Sequence, residues 1–342
     1  MTSERDIFSL SGPAYLTHIN WDDHHHRRSV AACLVQGVYV LERDRQLNRM
    51  DTDALAAPWW ESFGFKLVQL LLDDTDFSIF GAIYELRHSS FSQGLPSQTV
   101  PNAVIAFRGT ITKSDSLSRD LELDLHVIRH GLHQTSRFQT AVEAVRKFAP
   151  VYANNIWLCG HSLGSAIAML AGKGIAEQGV LLETFLFNPP YVSAPIERIK
   201  DRKLRTGLRI ANSFITAGLA FAVKGISHVS TSNELFCALS SWTPCLFINR
   251  ADHICSEYIG YFEHRKHMDA IGAGKIGRLA TQHSIGGLFL NAVGLESQPF
   301  HLIPSANMCI NLGSAADFMQ AHGIHQWWSS DLQLQFNQYR FS

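Results

Sequence analysis

A serine between two glycines is the residue with the clearest potential for chemistry in this sequence. Residues 160–164 read Gly-His-Ser-Leu-Gly, so Gly160 and Gly164 flank Ser162. The apolar residues before this segment are typical of a strand, and the small residues after it are typical of a helix. A serine on a strand–turn–helix elbow can act as the nucleophile of acyl transfer, because the sharp turn exposes its hydroxyl at the carboxyl edge of a sheet.

The spacing of the two glycines has a steric reason. Larger residues at Gly160 or Gly164 would collide with neighbouring backbone in so tight a turn. A helix that begins at Leu163 directs free N–H groups and a positive dipole end toward the serine, where an oxyanion would develop during the reaction. A Gly/Ser turn without chemistry is the alternative, and the strand and helix on its two sides favour the nucleophile.

A second segment supports the elbow. Residues 106–110 read Ala-Phe-Arg-Gly-Thr at the end of a predicted strand. Together the two segments resemble the class 3 (fungal-type triacylglycerol) lipases, which pair a strand ending in Phe-Arg-Gly-(Ser/Thr) with Gly-His-Ser-Leu-Gly. The resemblance implies an α/β-hydrolase fold, ester hydrolysis without a metal or organic cofactor, and an oxyanion hole formed by the N–H groups of Thr110 and Leu163. Alone, residues 108–110 would be an ordinary turn with a surface arginine.

The resemblance covers roughly residues 80 to 330 and is loose away from the motifs. Residues 185–190 look like the family's strand after the nucleophile helix, with Asn188 where a glycine is common. The N-terminal part and residues 196–241 are similar to a plant subgroup catalogued as GDSL esterase/lipase-like. That label does not describe the motif, since the chain has no Gly-Asp-Ser-Leu segment.

The candidate acid follows from the order of residues along the chain. A serine nucleophile needs a histidine to take its proton, and that histidine needs a carboxylate to fix its tautomer. In α/β-hydrolases the acid follows a strand beyond the nucleophile helix, and the histidine comes last. Residues 245–252 have this shape and resemble the strand–Asn–x–x–Asp segment of the class 3 lipases, so we predict Asp252 as the acid. A solvated turn carboxylate is the alternative.

The candidate base is selected from 17 histidines, of which those before Ser162 are out of chain order. Class 3 lipases place the base in a loop beyond the last core strand, with an aromatic residue a few positions later. Residues 321–328 fit this placement, and the aromatic residue five positions after His322 favours His322. His325 and then His283 remain alternatives, and a histidine that is not the base would be structural.

The elements that must position these residues alternate between helical and strand patterns. Helical spacing of apolar residues is found at 29–45, 59–72, 135–149 and 163–177. Strand-like runs are found at 80–86, 103–107, 156–159, 184–187, 245–248 and, as a last strand, 308–312. This alternation predicts an α/β fold with a mostly parallel sheet flanked by helices.

One domain with helical additions accounts for the pattern. We expect an N-terminal helical extension over residues 1–79, packed on an α/β-hydrolase domain over residues 80–342 with a helical insertion near 191–241. The apolar run 210–223 is a core helix or, less favoured, a lid or acyl-pocket helix. Residues 114–130 lie where class 3 lipases carry a lid.

Composition excludes several classes of protein. With 46% hydrophobic and 17% charged residues the chain is not disordered, and a net charge of −1 offers nucleic acid no basic field. The six cysteines form no paired motif and are expected to be reduced thiols. The N-terminal residues lack a secretory pattern, and the 14-residue run 210–223 is too short to span a bilayer, so a cytoplasmic protein is expected.

A histidine cluster invites a metal site. Residues 22–26 read Asp-Asp-His-His-His, but consecutive loop residues point in different directions and no partner cluster has ligand spacing. A solvated loop is therefore favoured, and we expect no metal.

Together these observations predict a serine hydrolase of carboxylic esters, acting on a small-molecule or lipid ester. A peripheral contact with a membrane surface stays open, and the sequence does not reveal the oligomeric state. Two alternatives also remain: a lipase-like interaction protein without catalysis, and an acyltransferase or thioesterase that uses the same site.

Overall fold

Eight strands form one sheet, and their order across the sheet follows their order along the chain. The computed structural model describes residues 18–50, 59–87, 99–111, 135–152, 154–191, 203–211, 239–274 and 302–341, with single positions 16, 54, 201, 213, 216 and 276. The strands are β1 (Phe65–Leu72), β2 (Ile79–Leu86), β3 (Ala103–Phe107), β4 (Ile156–His161), β5 (Glu183–Phe187), β6 (Cys245–Asn249), β7 (Ala306–Asn311) and β8 (Leu334–Tyr339).

The centre of this sheet is parallel and its margins are antiparallel. Strands β3 to β7 pair with their neighbours in parallel, whereas β1, β2 and β3 pair antiparallel and β8 runs antiparallel to β7. The parallel strands bring their carboxyl ends to one edge, which is where open α/β sheets place their sites. The predicted mostly parallel sheet of an α/β-hydrolase fold is confirmed.

Helices cover both faces of the sheet. They are α1 (His24–Gln46), α2 (Ser136–Val151), α3 (Leu163–Ala176), α4 (Glu257–Ala270) and the short α5 (Phe318–His322), with 3₁₀ turns at Trp59–Phe63, Leu239–Ser241 and Ile324–Trp328. Residues 203–211 are helical as well. Side chains alternate across each buried strand: Val104 packs on the face covered by α1, while Ile105 packs on the face covered by α2 and α3. Two apolar cores therefore enclose the parallel strands.

The histidine cluster belongs to a helix and not to the solvated loop that the sequence suggested. Asp23 is the N-cap of α1, and its carboxylate accepts the backbone N–H groups of His25 and His26 at 2.6 and 3.3 Å. This cap satisfies amides that a helix start leaves without partners. Within the described residues no group of three or more His, Cys, Asp or Glu side chains could hold a metal ion.

The predicted helix over residues 59–72 is wrong. Residues Trp59–Phe63 form a 3₁₀ turn, Gly64 adopts a φ of +82° that ends it, and β1 follows. β1 pairs with β2 from Phe65 opposite Leu86 onward, so tertiary pairing overrides a hydrophobic pattern that fits both periods. The division of the chain near residue 79 into an extension and a domain stays a prediction.

The strand predicted at 308–312 is real but is not the last one. β7 occupies Ala306–Asn311, and β8 pairs with it antiparallel as an edge strand. The other predicted helices and strands are confirmed, with boundaries that differ by a few residues. Three predictions fall wholly or largely on residues outside the described part of the chain: the 114–130 lid position, the 191–241 insertion with its 210–223 run, and His283.

Five cysteines lie in the described residues, and all five are free thiols, as the sequence predicts. None of the helices in the described ranges is long and apolar enough to cross a membrane.

Candidate active site

Ser162 occupies the turn between β4 and α3 in a strained conformation. Its backbone angles are φ +54° and ψ −125°, which a residue with a side chain rarely adopts. The Ser162 N–H donates to Phe187 O at 3.0 Å, which ties the turn to β5. Such strain persists only where the surroundings enforce it, and it is typical of functional sites.

The two glycines allow α3 to begin directly against the sheet. A Cβ on Gly160 would overlap the carbonyl of Gly164, and a Cβ on Gly164 would overlap the carbonyl of Phe107 at the end of β3. Side chains at positions 160 and 164 would therefore collide with backbone atoms, as the spacing of the two glycines predicts. This close approach sets the start of α3 beside the end of β3.

The turn after β3 lies against the serine. A Cβ built on Gly109 would be 2.8 Å from Ser162 Cβ, so only a glycine allows this contact. Thr110, which is half-buried, follows immediately, and Leu163 is the first residue of α3. N–H groups in the first turn of a helix have no partner within that helix. The two predicted oxyanion-hole residues are thus the neighbour of Gly109 in the turn after β3 and the residue that follows Ser162.

Arg108 holds the turn after β3 in place through hydrogen bonds. It is not the surface arginine expected if residues 108–110 were an ordinary turn. Its side chain is only 5% exposed. Its Nε donates to Ile79 O at 2.6 Å and its Nη1 to Gly109 O at 2.7 Å, while Nη2 lies 4.0 Å from Glu42. Burial lowers the pKa of Arg108. The guanidinium therefore anchors the backbone beside Ser162.

The predicted acid and base are in contact. His322 Nδ1 lies 2.8 Å from Oδ2 of Asp252, which is fully buried. Asp252 also accepts the Ile254 N–H at Oδ1 (2.9 Å) and the Asn188 side-chain amide at Oδ2 (2.7 Å). Burial alone would raise the pKa of Asp252, but the neighbouring His322 and these hydrogen bonds lower it. An ionised Asp252 holds the His322 proton on Nδ1.

The second nitrogen of His322 is the one that can take a proton. Nε2 is buried and has no hydrogen-bond partner among the residues that the structure describes. With the proton on Nδ1, its lone pair is available to a hydroxyl. The Phe318 ring stacks on the imidazole with centroids 5.2 Å apart and planes at 15°, which restricts its rotation.

The alternative bases are placed differently. His325 packs its ring over Gly323, and burial lowers its pKa. None of the hydrogen bonds found between described residues joins His325 to a carboxylate. The structure thus brings His322, and not His325, to Asp252.

Asn188 and Gln326 organise this contact, and sequence reasoning gave neither of them a role. Asn188, at φ +47°, also donates to Ala321 O at 3.1 Å and accepts the Trp327 indole N–H at 2.7 Å. Gln326 accepts the side-chain amides of Asn249 and Asn311, and it donates to Ala321 O. The hydrogen bonds of these two side chains connect the ends of β5, β6 and β7 to the segment that carries His322. The one available sequence signal was an Asn at position 188, where the resemblance leads us to expect a glycine; the structure explains it by a positive φ.

Comparison with known proteins agrees with this geometry. The sheet, the elbow at its carboxyl edge and the flanking helices define an α/β-hydrolase. The family model described as lipase (class 3) matches residues 104–194. A protein of Arabidopsis thaliana named a GDSL esterase/lipase is 52% identical over an alignment that covers 100% of this chain and 99% of that protein. The chain therefore belongs to the class 3 lipase family and is a carboxylic ester hydrolase.

Proposed function

We propose that this enzyme hydrolyses acyl lipid esters through an acyl-enzyme on Ser162, with His322 as the base and Asp252 as the residue that orients it. The 2.8 Å contact between His322 Nδ1 and Asp252 carries the proposal, because it leaves Nε2 as the proton acceptor. His322 also lies beside the elbow, since its carbonyl accepts a hydrogen bond from His161, the residue before Ser162.

The reaction begins with attack of the Ser162 oxygen on the acyl carbonyl carbon. The hydroxyl proton passes to His322 Nε2 as the bond to carbon forms, and the carbonyl electrons move to oxygen. Backbone N–H groups of Thr110 and Leu163 donate to that oxyanion, and the N-terminus of α3 adds a positive dipole end. The ionised Asp252 stabilises the imidazolium that forms on His322.

Collapse of this intermediate breaks the ester bond. His322 gives its proton to the leaving alcohol, and the acyl group remains on Ser162. A water molecule then attacks the acyl carbon and gives a proton to His322. The bond from the acyl carbon to Ser162 breaks, the carboxylic acid leaves, and His322 returns the proton to the Ser162 oxygen. Each proton that moves in these reaction steps passes through His322.

Acyl lipids are the substrate class that the site and the composition favour. The class 3 family is a lipase family, and the relative's name includes esterase and lipase. A net charge of −1 over the whole chain presents no strong field to a neutral lipid. Esters of increasing acyl length, from p-nitrophenyl acetate to palmitate, test this point. The kcat/KM should rise toward the longer chains, and a preference for acetate would contradict the proposal.

A fluorophosphonate probe tests the nucleophile. The wild-type enzyme should be labelled and Ser162→Ala should not be. Ser165→Ala is the matched control, because Ser165, in the first turn of α3, is also buried but its hydroxyl is bound to Gly160 O at 2.7 Å and to Phe187 O at 2.8 Å. A folded wild-type protein that resists labelling would indicate an interaction protein without catalysis.

The base is tested by two histidine variants on one ester. His322→Ala should lower kcat by about 10⁴-fold, the scale on which removal of one member slows a triad. His325→Ala keeps the contact between His322 and Asp252 and should stay within a few-fold of wild type. If the larger loss follows His325→Ala, the assignment of the base is wrong.

A further inference from the structure

A buried hydrogen-bond chain runs from the oxyanion turn to the backbone of His322 through two side chains. The Gly109 N–H donates to Tyr39 Oη at 2.7 Å. Tyr39 Oη lies 2.7 Å from His161 Nδ1, and His161 Nε2 lies 2.7 Å from the His322 carbonyl oxygen. Three contacts thus join α1, the turn after β3, the nucleophile elbow and the loop that carries His322.

The direction of each hydrogen bond follows from its end groups. A backbone N–H can only donate, so Gly109 donates to the Tyr39 oxygen. A carbonyl can only accept, so His161 carries its proton on Nε2 and donates to His322 O. His161 Nδ1 is then an acceptor, and the Tyr39 hydroxyl donates to it. One tautomer of a neutral His161 therefore satisfies every group in the chain.

The surroundings keep His161 neutral. Burial, and after it the nearby His322, lowers the pKa of His161 to about 3. The rings of His161 and His322 are 5.0 Å apart, so a charge on the first would oppose the imidazolium that forms on the second during the reaction. The aromatic ring of Tyr39 contacts the His161 ring edge-on, with ring centroids 5.8 Å apart.

We propose that Tyr39 is a positioning residue for ester hydrolysis, which couples the oxyanion turn at Gly109 to the backbone of His322 through His161. This inference rests on the proposed function, since it assigns its effect to Ser162 chemistry. The contacts that carry this role are those of the Tyr39 hydroxyl with Gly109 and His161. Tyr39 sets the turn that presents the Thr110 N–H and, through His161, the residue that carries the proton acceptor.

Helix α1 reaches this turn at a second point. Glu42, one turn after Tyr39, is fully buried, accepts the Ile79 N–H at 2.7 Å and lies 4.0 Å from Arg108. Arg108 in turn donates to Gly109 O. The N–H and the carbonyl of Gly109 are therefore each held from α1, the first directly and the second through Arg108. This helix lies outside residues 104–194, the part that the family model matches.

Tyr39→Phe removes the hydroxyl and keeps the ring. It leaves the Gly109 N–H and His161 Nδ1 without their common partner. The turn at Gly109 and the backbone of His322, which are the two ends of the hydrogen-bond chain, are then held less firmly. A misplacement of this kind in a preorganised site lowers the rate by about 10- to 100-fold. We expect that loss in kcat for p-nitrophenyl esters and in the maximal rate of fluorophosphonate labelling, with KM and probe affinity within about 2-fold of wild type.

Tyr84→Phe is the matched control. The Tyr84 hydroxyl is also buried and also contacts α1, where it donates to Leu34 O at 3.3 Å, but it takes no part in the chain. Both variants lose one buried hydroxyl, so thermal unfolding should shift comparably. Only Tyr39→Phe should lose kcat. Equal kcat losses in the two variants, or wild-type kcat in Tyr39→Phe, would overturn the proposal.

A second pair of variants decides the matter if Tyr39→Phe does not fold. His161→Gln keeps a donor toward His322 O, whereas His161→Leu keeps none, and the proposal requires at least about 10-fold higher kcat for the glutamine variant. Equal activities would refute the coupling. A wild-type enzyme that is not labelled at Ser162 would instead refute the proposed function, so the two failures are distinguishable.

Discussion

Removing the side chain of Asn188 should weaken both the fold and the catalytic geometry. Asn188 makes three buried side-chain hydrogen bonds to oxygen and nitrogen groups, namely to Asp252 at 2.7 Å, to Ala321 O at 3.1 Å and from the Trp327 indole at 2.7 Å, and a longer one to Cys255 Sγ. Asn188→Gly is the informative change, because glycine adopts the observed φ of +47° without strain. The substitution therefore isolates the amide from the backbone conformation.

The magnitude follows from the partners that remain. Each buried group left without a hydrogen bond costs about 1 kcal/mol or more, so three contacts amount to about 3 kcal/mol of unfolding free energy. For a chain of 342 residues that corresponds to a Tm lower by roughly 4 °C. Asp252 and the backbone at Ala321, next to His322, both lose an anchor, so we expect kcat to fall by about 10-fold.

Urea unfolding and ester hydrolysis measure the two effects. Asn154→Gly is the matched control, since Asn154 also has a positive φ (+60°) but lies exposed in a turn. It should leave stability and kcat nearly unchanged. If Asn188→Gly matches the Asn154→Gly control in both measurements, the amide does not organise the site and the reasoning fails.

Two further predictions concern packing and pH. Gly164→Ala places a Cβ on the carbonyl of Phe107 and should lower stability by more than about 2 kcal/mol, seen as a lower urea midpoint; wild-type stability would mean that α3 does not start against β3. The pKa of Asp252 is lower in the folded protein than in the unfolded chain, so its ionised form stabilises the fold above about pH 4, and this contribution disappears as pH falls through the folded pKa. Asp252→Asn should remove it, so urea unfolding of the two proteins should differ most near neutral pH and converge in acid; a gap independent of pH would contradict this.

The elbow could be predicted from sequence because its requirements are local. Ser162 at φ +54° needs small neighbours, and the overlaps at Gly160 and Gly164 explain why both are glycine. The strand before it and the helix after it are continuous in sequence, so a short segment contains the whole signal. Chain order then restricted the acid to Asp252, the one carboxylate that directly follows a late strand.

Edge strands were the part of the fold that local patterns could not settle. β1 is half-exposed, and the spacing of its apolar residues fits a helix as well as a strand. Its pairing with β2 makes it a strand. β8 reads Leu-Gln-Phe-Asn-Gln-Tyr, which is too polar for a buried strand, and only its pairing with β7 makes it part of the sheet. The free energy of pairing between two strands depends on both strands, so it cannot be predicted from the residues of one strand alone.

The sequence by itself determined the fold class, the elbow and the family resemblance, because short-range sterics and hydrophobic periods carry them. Only the tertiary structure decided which histidine meets Asp252, since His322 at the end of α5 and His325 in the following 3₁₀ turn are close in sequence and differ in direction. It also revealed Tyr39, whose contact with His161 spans 122 positions of the chain. Hydrogen bonds between distant residues depend on where folding places both groups, and no spacing along the chain encodes that distance.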